Sequence, residues 1–94
     1  MSLGVLTLHL HIPGSASLKD KRRRLKPLLT RLGREFNISV AEIDHNDIWG
    51  SAVIACALVS NDIGHTQRSL QNIARWIERN WPDVTVIDEQ IELL

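Results

Sequence analysis

The stretch from Ala52 to Val59 constrains the fold more than any other part of this chain of 94 residues. Eight consecutive small or branched apolar residues are too few for a membrane helix, which needs about 20, but they suit a strand. Alternate side chains of a strand point to opposite faces, so both faces of this strand are apolar. We therefore expect a central strand in a sheet that is covered on both sides.

The segments around this strand follow a regular order. Leu3 to Ile12 alternates and predicts a first strand; Ser17 is a candidate N-cap for a helix with a leucine stripe that ends at Phe36. A second strand is predicted from Asn37 to Asp44 and a third from Trp49 to Ser60, joined by a turn. A second helix follows, is stopped by Trp81-Pro82, and leads into a last strand that begins near Val84.

The order β-α-β-β-α-β predicts an α+β, ferredoxin-like fold. Connection handedness then places four antiparallel strands in the spatial order 4-1-3-2, with both helices on one face. A length of 94 residues is that of one domain, so we expect residues 1–94 to fold as a unit. Pro27 lies inside the leucine stripe and predicts a kink or local break near Arg23 to Lys26, because its nitrogen cannot donate a hydrogen bond.

Helices on one face leave the other face of the sheet open. The side chains expected there are apolar or small, and a monomer rarely leaves such a patch in water. We therefore predict at least a homodimer through the open sheet face. Its interface residues are predicted to be Val5, Thr7, Val53, Ala55 and Val59.

Charge is distributed unevenly along a chain whose formal net charge is zero. Within residues 17–34 there are eight Lys and Arg residues and a single acid, Asp20. At 100° per residue, five of the basic residues fall on the side of the first helix opposite the leucines. This candidate phosphate-binding strip consists of Lys19, Arg22, Arg23, Lys26 and Arg34. The alternative is a solvated helix face whose long side chains only cover the apolar rim.

Lys21 is different, because it falls within the leucine arc. We expect it either to reach solvent along its alkyl chain or to pair with a carboxylate near the turn after the second strand. The fold plan brings seven residues to the same edge of the domain: His11, Lys19, Lys21, Asp44, His45, Asp47 and Trp49. Ion pairing is the ordinary interpretation of such a group, and a ligand site is the sharper one.

Few residues carry catalytic or metal-binding chemistry. One cysteine, Cys56, excludes an internal disulfide and a multi-cysteine metal site in one chain. His9 and His11 share a strand face, and His45 is a candidate third ligand, but only the first two are clearly aligned in sequence, so we predict no metal and no cofactor. No phosphate-binding glycine loop or Gly-x-Ser-x-Gly elbow occurs, which favours a protein that is not an enzyme. Trp76, beside the buried stripe of the second helix, is either a flank residue or an interface anchor.

Four segments resemble the YlxP-like family of small bacterial proteins, also called domain of unknown function 503: Leu10–Ser15, Ser17–Arg22, Phe36–Glu42 and Val59–Asp62. Pro27 departs from the pattern of the family's first helix. The resemblance implies a ferredoxin-like fold, bacterial origin, and genes near those for transcription elongation and translation initiation factors. It implies no catalytic residues.

The leading hypothesis is thus a cytoplasmic, non-enzymatic accessory protein that contacts RNA or the ribosome through its basic first helix. No membrane partner is expected, because the chain has neither an apolar run of spanning length nor a signal-peptide pattern. The alternative is a dimeric regulatory or interaction domain that binds a protein or small ligand at the sheet edge. A hydrolase that uses His11, Asp44 or His45 is a third option, without a visible nucleophile–base pair.

Overall fold

A computed structural model describes residues 1–94, which form six elements in the predicted order. The strands are β1 (Ser2–His11), β2 (Ser39–Asp44), β3 (Ser51–Ser60) and β4 (Thr85–Leu93). The helices are α1 (Leu18–Phe36) and α2 (Ile63–Asn80). No helix is both long and apolar enough to cross a bilayer.

The strands form one antiparallel sheet in the order β2-β3-β1-β4, which is the predicted order read from the opposite edge. The two central strands pair over their full length, with Leu6 opposite Cys56 and Leu8 opposite Ile54. The ferredoxin-like α+β fold predicted from the sequence is confirmed. Its two ten-residue central strands carry most of the buried apolar side chains of the sheet.

The core lies between the sheet and the two helices. Every second residue of β1 and β3 is buried, which follows from strand alternation. Leucines of α1 and the Leu70–Ile77 face of α2 complete a cluster of 16 buried residues. Its members are Leu6, Leu8, Leu10, Ile12, Leu25, Leu28, Leu32, Ala52, Ile54, Cys56, Leu58, Leu70, Ile73, Ala74, Ile77 and Val84.

Helix α1 begins and ends at recognisable caps. The hydroxyl of Ser17 accepts from the backbone N–H of Asp20 at 3.0 Å, as predicted for the N-cap. At the other end Asn37 adopts a left-handed conformation with φ 53°, so β2 starts at Ser39 and not at Asn37. The helix runs through Pro27 without a break. Leu25 and Leu28, on either side of the proline, are buried in the same core, so the apolar stripe of the helix faces the sheet both before and after Pro27.

The turn between β2 and β3 is longer than predicted. His45 has a positive φ of 61°, and the N–H of Ile48 donates to its carbonyl at 3.0 Å. Trp49 therefore lies in the turn, where it is exposed, and β3 begins two residues later at Ser51. A register shift between Glu42 and Asp44 marks the end of regular pairing on the β2 side.

Candidate functional site

The outer face of α1 carries the basic strip as the helical period predicts. The side chains of Lys19, Arg22, Arg23, Lys26 and Arg34 are all exposed. An open depression of about 520 Å³ lies among them, and Pro27 and Thr30 complete its lining. Arg34 does not line this depression, since it lies eight residues, or about 12 Å, beyond Lys26 along the axis.

Four members of the strip have no acidic partner. Among the five, only Arg23 forms an ion pair, with the carboxylate of Asp20. The hydrogen bond from Arg23, and then the one from the backbone N–H of Ala16, holds the pKa of the Asp20 carboxyl below its usual value. The strip therefore presents a cationic surface in which one of five charges is locally neutralised.

The other two arginines of α1 are held by intramolecular contacts. Arg24 donates to the carbonyl of Pro13 at 2.5 Å and to that of Asp83 at 2.8 Å, so it links the turn after β1 to the turn after α2. Arg31 pairs with Glu35 at 3.3 Å, and its guanidinium lies 5.5 Å from the ring centre of Trp76. Both side chains thus have partners within the chain, whereas four of the five strip residues have no acidic partner.

Lys21 pairs with a carboxylate, which is one of its two predicted alternatives, but the partner is Glu42 of β2 and not Asp44 or Asp47. Lys21 is 1% exposed, and its Nζ lies 2.7 Å from Oε2 of Glu42 and donates to the carbonyl of His45, also at 2.7 Å. The contact with Oε2 is an ion pair that lies off the hydrogen-bonding direction of that oxygen, whereas the bond to His45 is well directed. Lys21 thus anchors α1 to β2 and to the turn that follows it.

The histidines meet around a serine. The hydroxyl of Ser51 lies 2.8 Å from Nε2 of His9 and 2.8 Å from Nδ1 of His45, and the two rings are edge to face at 5.3 Å. His11 is engaged separately, with Nδ1 2.9 Å from the carbonyl of Gly50. No group of three or more His, Cys, Asp or Glu side chains is arranged to hold a metal ion. Each of these three imidazoles thus has a hydrogen-bonding partner within the chain.

The open sheet face lies on the side away from both helices. Val5, Thr7, Val53 and Ala55 are half-buried there, although nothing covers them, and Val59 is 64% exposed. No Lys or Arg lies on this face. Its acidic residues lie on the two outer strands: Asp88 and Glu92 of β4 are opposite His9 and Val5 of β1, and Asp44 at the end of β2 is opposite Val53. The centre of the face is thus uncharged.

Cys56 lies on the inner face of β3 and has no role at the surface. The residue is fully buried, and burial raises the pKa of its thiol to about 12. A thiol with so high a pKa carries almost no thiolate at neutral pH, which excludes it as a nucleophile. It is one of the small apolar side chains of the core.

Sequence reasoning missed an aromatic group between the helices. Trp76 meets Phe36 edge to face at 6.1 Å and stacks on Trp81 at 6.3 Å. Trp76 is half-buried against the core, so it is a flank residue of α2. Trp81 had been interpreted only as a helix terminator before Pro82. Its closeness in sequence to Trp76, five residues earlier, was the signal that could have paired them.

The fold and the surfaces above define a small βαββαβ domain with a basic helix and an open apolar sheet face. The chain belongs to the family described as protein of unknown function DUF503, whose model matches residues 3–91. The uncharacterized protein YlxP of Bacillus subtilis (strain 168) is 36% identical over 70 residues, which are 74% of this chain and 75% of the relative. The resemblance seen in the sequence is therefore confirmed.

Similarity to a solved structure supports the fold and nothing beyond the fold. The de novo designed protein Foldit4 aligns with a TM-score of 0.54 at 16% identity, covering 100% of this chain and 97% of the design. Because identity is so low, this likeness speaks only to the path of the backbone. Neither the family description nor the relative's name states an activity.

Proposed function

We propose that this protein binds the phosphate backbone of RNA through the basic strip of α1. The observation that carries the proposal is the exposure of Lys19, Arg22, Lys26 and Arg34 on one helix face, without a carboxylate to neutralise them. Clustered, solvent-facing Lys and Arg side chains are the usual electrostatic footprint of nucleic-acid binding. Such contacts position a backbone and do not read bases.

The dimensions of the strip suit a few phosphates. Lys19 and Lys26 are seven residues apart, which is about 10 Å along the helix, and Arg34 extends the row to about 22 Å. If about four phosphates are engaged on a single strand, the slope of log affinity against log salt is about −3. Binding then follows charge and shape more than sequence.

The test compares a triple variant with a double control variant by titration with a ribosomal RNA fragment at two salt concentrations. Replacing Arg22, Arg23 and Lys26 with Glu is expected to lower affinity roughly a hundredfold, because three phosphate contacts become repulsive. Folding should be preserved, since all three positions are exposed.

The matched control reverses charge elsewhere. Arg75 and Arg79 are exposed on α2, outside the strip, and their replacement with Glu should change affinity less than about threefold. Equal loss in both variants would indicate general charge attraction. Equal affinity of the strip variant and the wild type would leave the strip as a solvated face.

Dimerisation through the open sheet face is a second proposal, and the exposure of Val59 beside an uncharged centre favours it. Ten-residue strands about 33 Å long, in a sheet about 15–19 Å wide, offer roughly 500–600 Å² per copy. The resulting total of about 1,000–1,200 Å² is at the lower limit for a specific interface. A second copy suits the face because its uncharged centre is self-complementary and its acids lie on the rim.

Sedimentation at micromolar concentrations tests this proposal. Val59→Asp should shift the population to monomer, because a carboxylate would be buried against the partner's apolar face. Ile63→Asp is the control, since Ile63 is 60% exposed at the start of α2 and lies off the face. A wild-type protein that sediments as a monomer throughout would contradict dimerisation and leave the sheet edge for another protein or a small ligand.

A further inference from the structure

A second depression adjoins the basic strip. It has a volume of about 360 Å³ and lies between α1 and the turn that follows α2. Arg23 and Pro27 line both this depression and the basic one. An RNA strand bound along the strip would therefore pass the opening of the second depression. The opposite wall is formed by residues 80–83, and we call the depression the α1–α2 pocket.

The far wall of this pocket carries an aromatic side chain. It contains the indole of Trp81 and the ring of Pro82. Trp81 is held in place because it stacks on Trp76, with an angle of 27° between the two rings. Arg24, which also lines the pocket, holds the turn through its bond to the carbonyl of Asp83. A fixed aromatic surface beside a cationic groove is the arrangement that holds unstacked bases in single-strand binding proteins.

The rim of the pocket offers hydrogen-bond acceptors. The carboxylate of Asp83 is 64% exposed and forms a loose ion pair with Arg24, whose Nε lies 3.7 Å from Oδ2, beyond hydrogen-bond distance. Asn80 donates its Nδ2 to the carbonyl of Trp76 at 3.0 Å, which leaves its Oδ1 as a second acceptor. Acceptors select a base edge that carries donors, and guanine presents adjacent N–H and NH₂ groups to a carboxylate.

We propose that the α1–α2 pocket receives one unstacked base of the RNA whose phosphates lie on the strip, and that it prefers guanine. This inference rests on the proposed RNA binding and adds a base-reading element to it. Trp81 supplies the stacking surface, and Asp83 accepts from the guanine edge. The basic strip contributes affinity for any sequence, whereas the pocket contributes the preference.

Fluorescence anisotropy with three octanucleotides tests the proposal at low salt. One probe is octauridylate, the second carries a single central guanosine among uridines, and the third is abasic at every position. The guanosine probe should bind at least about fivefold more tightly than the abasic one, because the stacking of one base contributes at least that factor. Octauridylate should lie between them.

Two variants separate stacking from edge recognition. Asp83→Asn should reduce the guanosine preference over uridine to about twofold while keeping the salt slope, because an amide still presents one acceptor. Trp81→Leu should bring the guanosine probe to the affinity of the abasic probe. Because Trp81 packs at the edge of the core, its fold is checked by circular dichroism.

A measurement on the protein without any substitution provides an independent readout. With 5-fluorotryptophan incorporated, the ¹⁹F resonance of Trp81 should shift when the guanosine probe binds, and that of Trp49, in the β2–β3 turn, should not. Equal, salt-dependent binding of all three probes would overturn the pocket proposal and leave the strip proposal standing. Failure of all three probes to bind would overturn both.

Discussion

Helices α1 and α2 lie on the same face of the sheet, yet they pack against it differently. Helix α2 buries Thr66 and four apolar residues, and it approaches β1 closely. A Cβ atom added to Gly4 of β1 would lie 2.7 Å from Cδ1 of Leu70. Helix α1 buries three leucines and the ammonium of Lys21, and a depression of about 230 Å³ remains open between it and Glu42 of β2.

The difference shows that amphipathic period and packing are separate properties. Both helices have an apolar stripe of the right width, and both contribute to one core. One residue distinguishes the packing of each helix. Gly4 of β1 lets α2 approach the sheet closely, and Lys21 ties α1 to the carboxylate of Glu42. The helix with the ionic anchor is also the helix with the basic outer face. The four predictions that follow test this contrast, from the largest expected effect to the smallest.

Breaking the anchor of α1 should have the largest effect. Lys21→Met leaves Glu42, whose side chain is 18% exposed, without its cation, and the free energy of unfolding should fall by about 3 kcal/mol, at the lower end for a buried pair. Chemical denaturation measures this loss. The double variant Lys21→Met/Glu42→Leu should recover most of it, because two apolar side chains replace the pair. A double variant as unstable as the single one would show that the bond to His45 is the important contact.

Restoring a backbone N–H at position 27 should have the next largest effect on the free energy of unfolding. Pro27→Ala lets the N–H of residue 27 donate to the carbonyl of Arg23, and the free energy of unfolding should rise by about 2 kcal/mol, since proline in a helix interior costs about 3. Gln71→Ala on the exposed side of α2 is the matched control and should change stability by less than about 0.5 kcal/mol. No gain on replacing Pro27 would mean that α1 already accommodates the proline without cost.

Adding a methyl group at Gly4 tests how closely α2 packs against β1, compared with the same change in α1. Gly4→Ala should cost about 1–2 kcal/mol, because its methyl group would meet Leu70 at 2.7 Å and Thr66 at 2.8 Å. Gly33→Ala in α1 should instead stabilise by about 0.5–1 kcal/mol, because its nearest contact is an ordinary 3.5 Å and alanine favours a helix. Thermal unfolding of both variants would reveal the opposite signs. Equal signs would contradict the closer approach of α2.

The smallest effect concerns the first turn of α1. The pKa of Asp20 is lowered chiefly by the bond from Arg23, so Arg23→Gln should move it upward toward 3.8. A group with a lowered pKa in the folded state stabilises the protein above its unfolded pKa. This stabilisation should disappear as pH falls from about 5 through the folded pKa. Carbon-detected NMR titration of the carboxyl group follows the change, and an unchanged pKa would assign the shift to the N–H of Ala16.

The sequence predicted the basic strip but not the α1–α2 pocket. Lys19, Arg22, Arg23, Lys26 and Arg34 could be placed outward because helical period alone fixes their direction. The pairing of Arg23 with Asp20 was not predicted, although the three-residue spacing allows it. The α1–α2 pocket was not predicted at all, since its walls join residues more than 50 positions apart.

The sequence by itself determined the element order, the sheet topology and the two faces of each strand and helix. Local periodicity and connection rules suffice for those, because each depends on neighbours along the chain. Only the tertiary structure decided that Lys21 meets Glu42, that Arg24 joins two turns, and that Trp81 lines a pocket. These contacts depend on the distance and angle at which separate elements pack, and side-chain volumes across the whole core set that geometry.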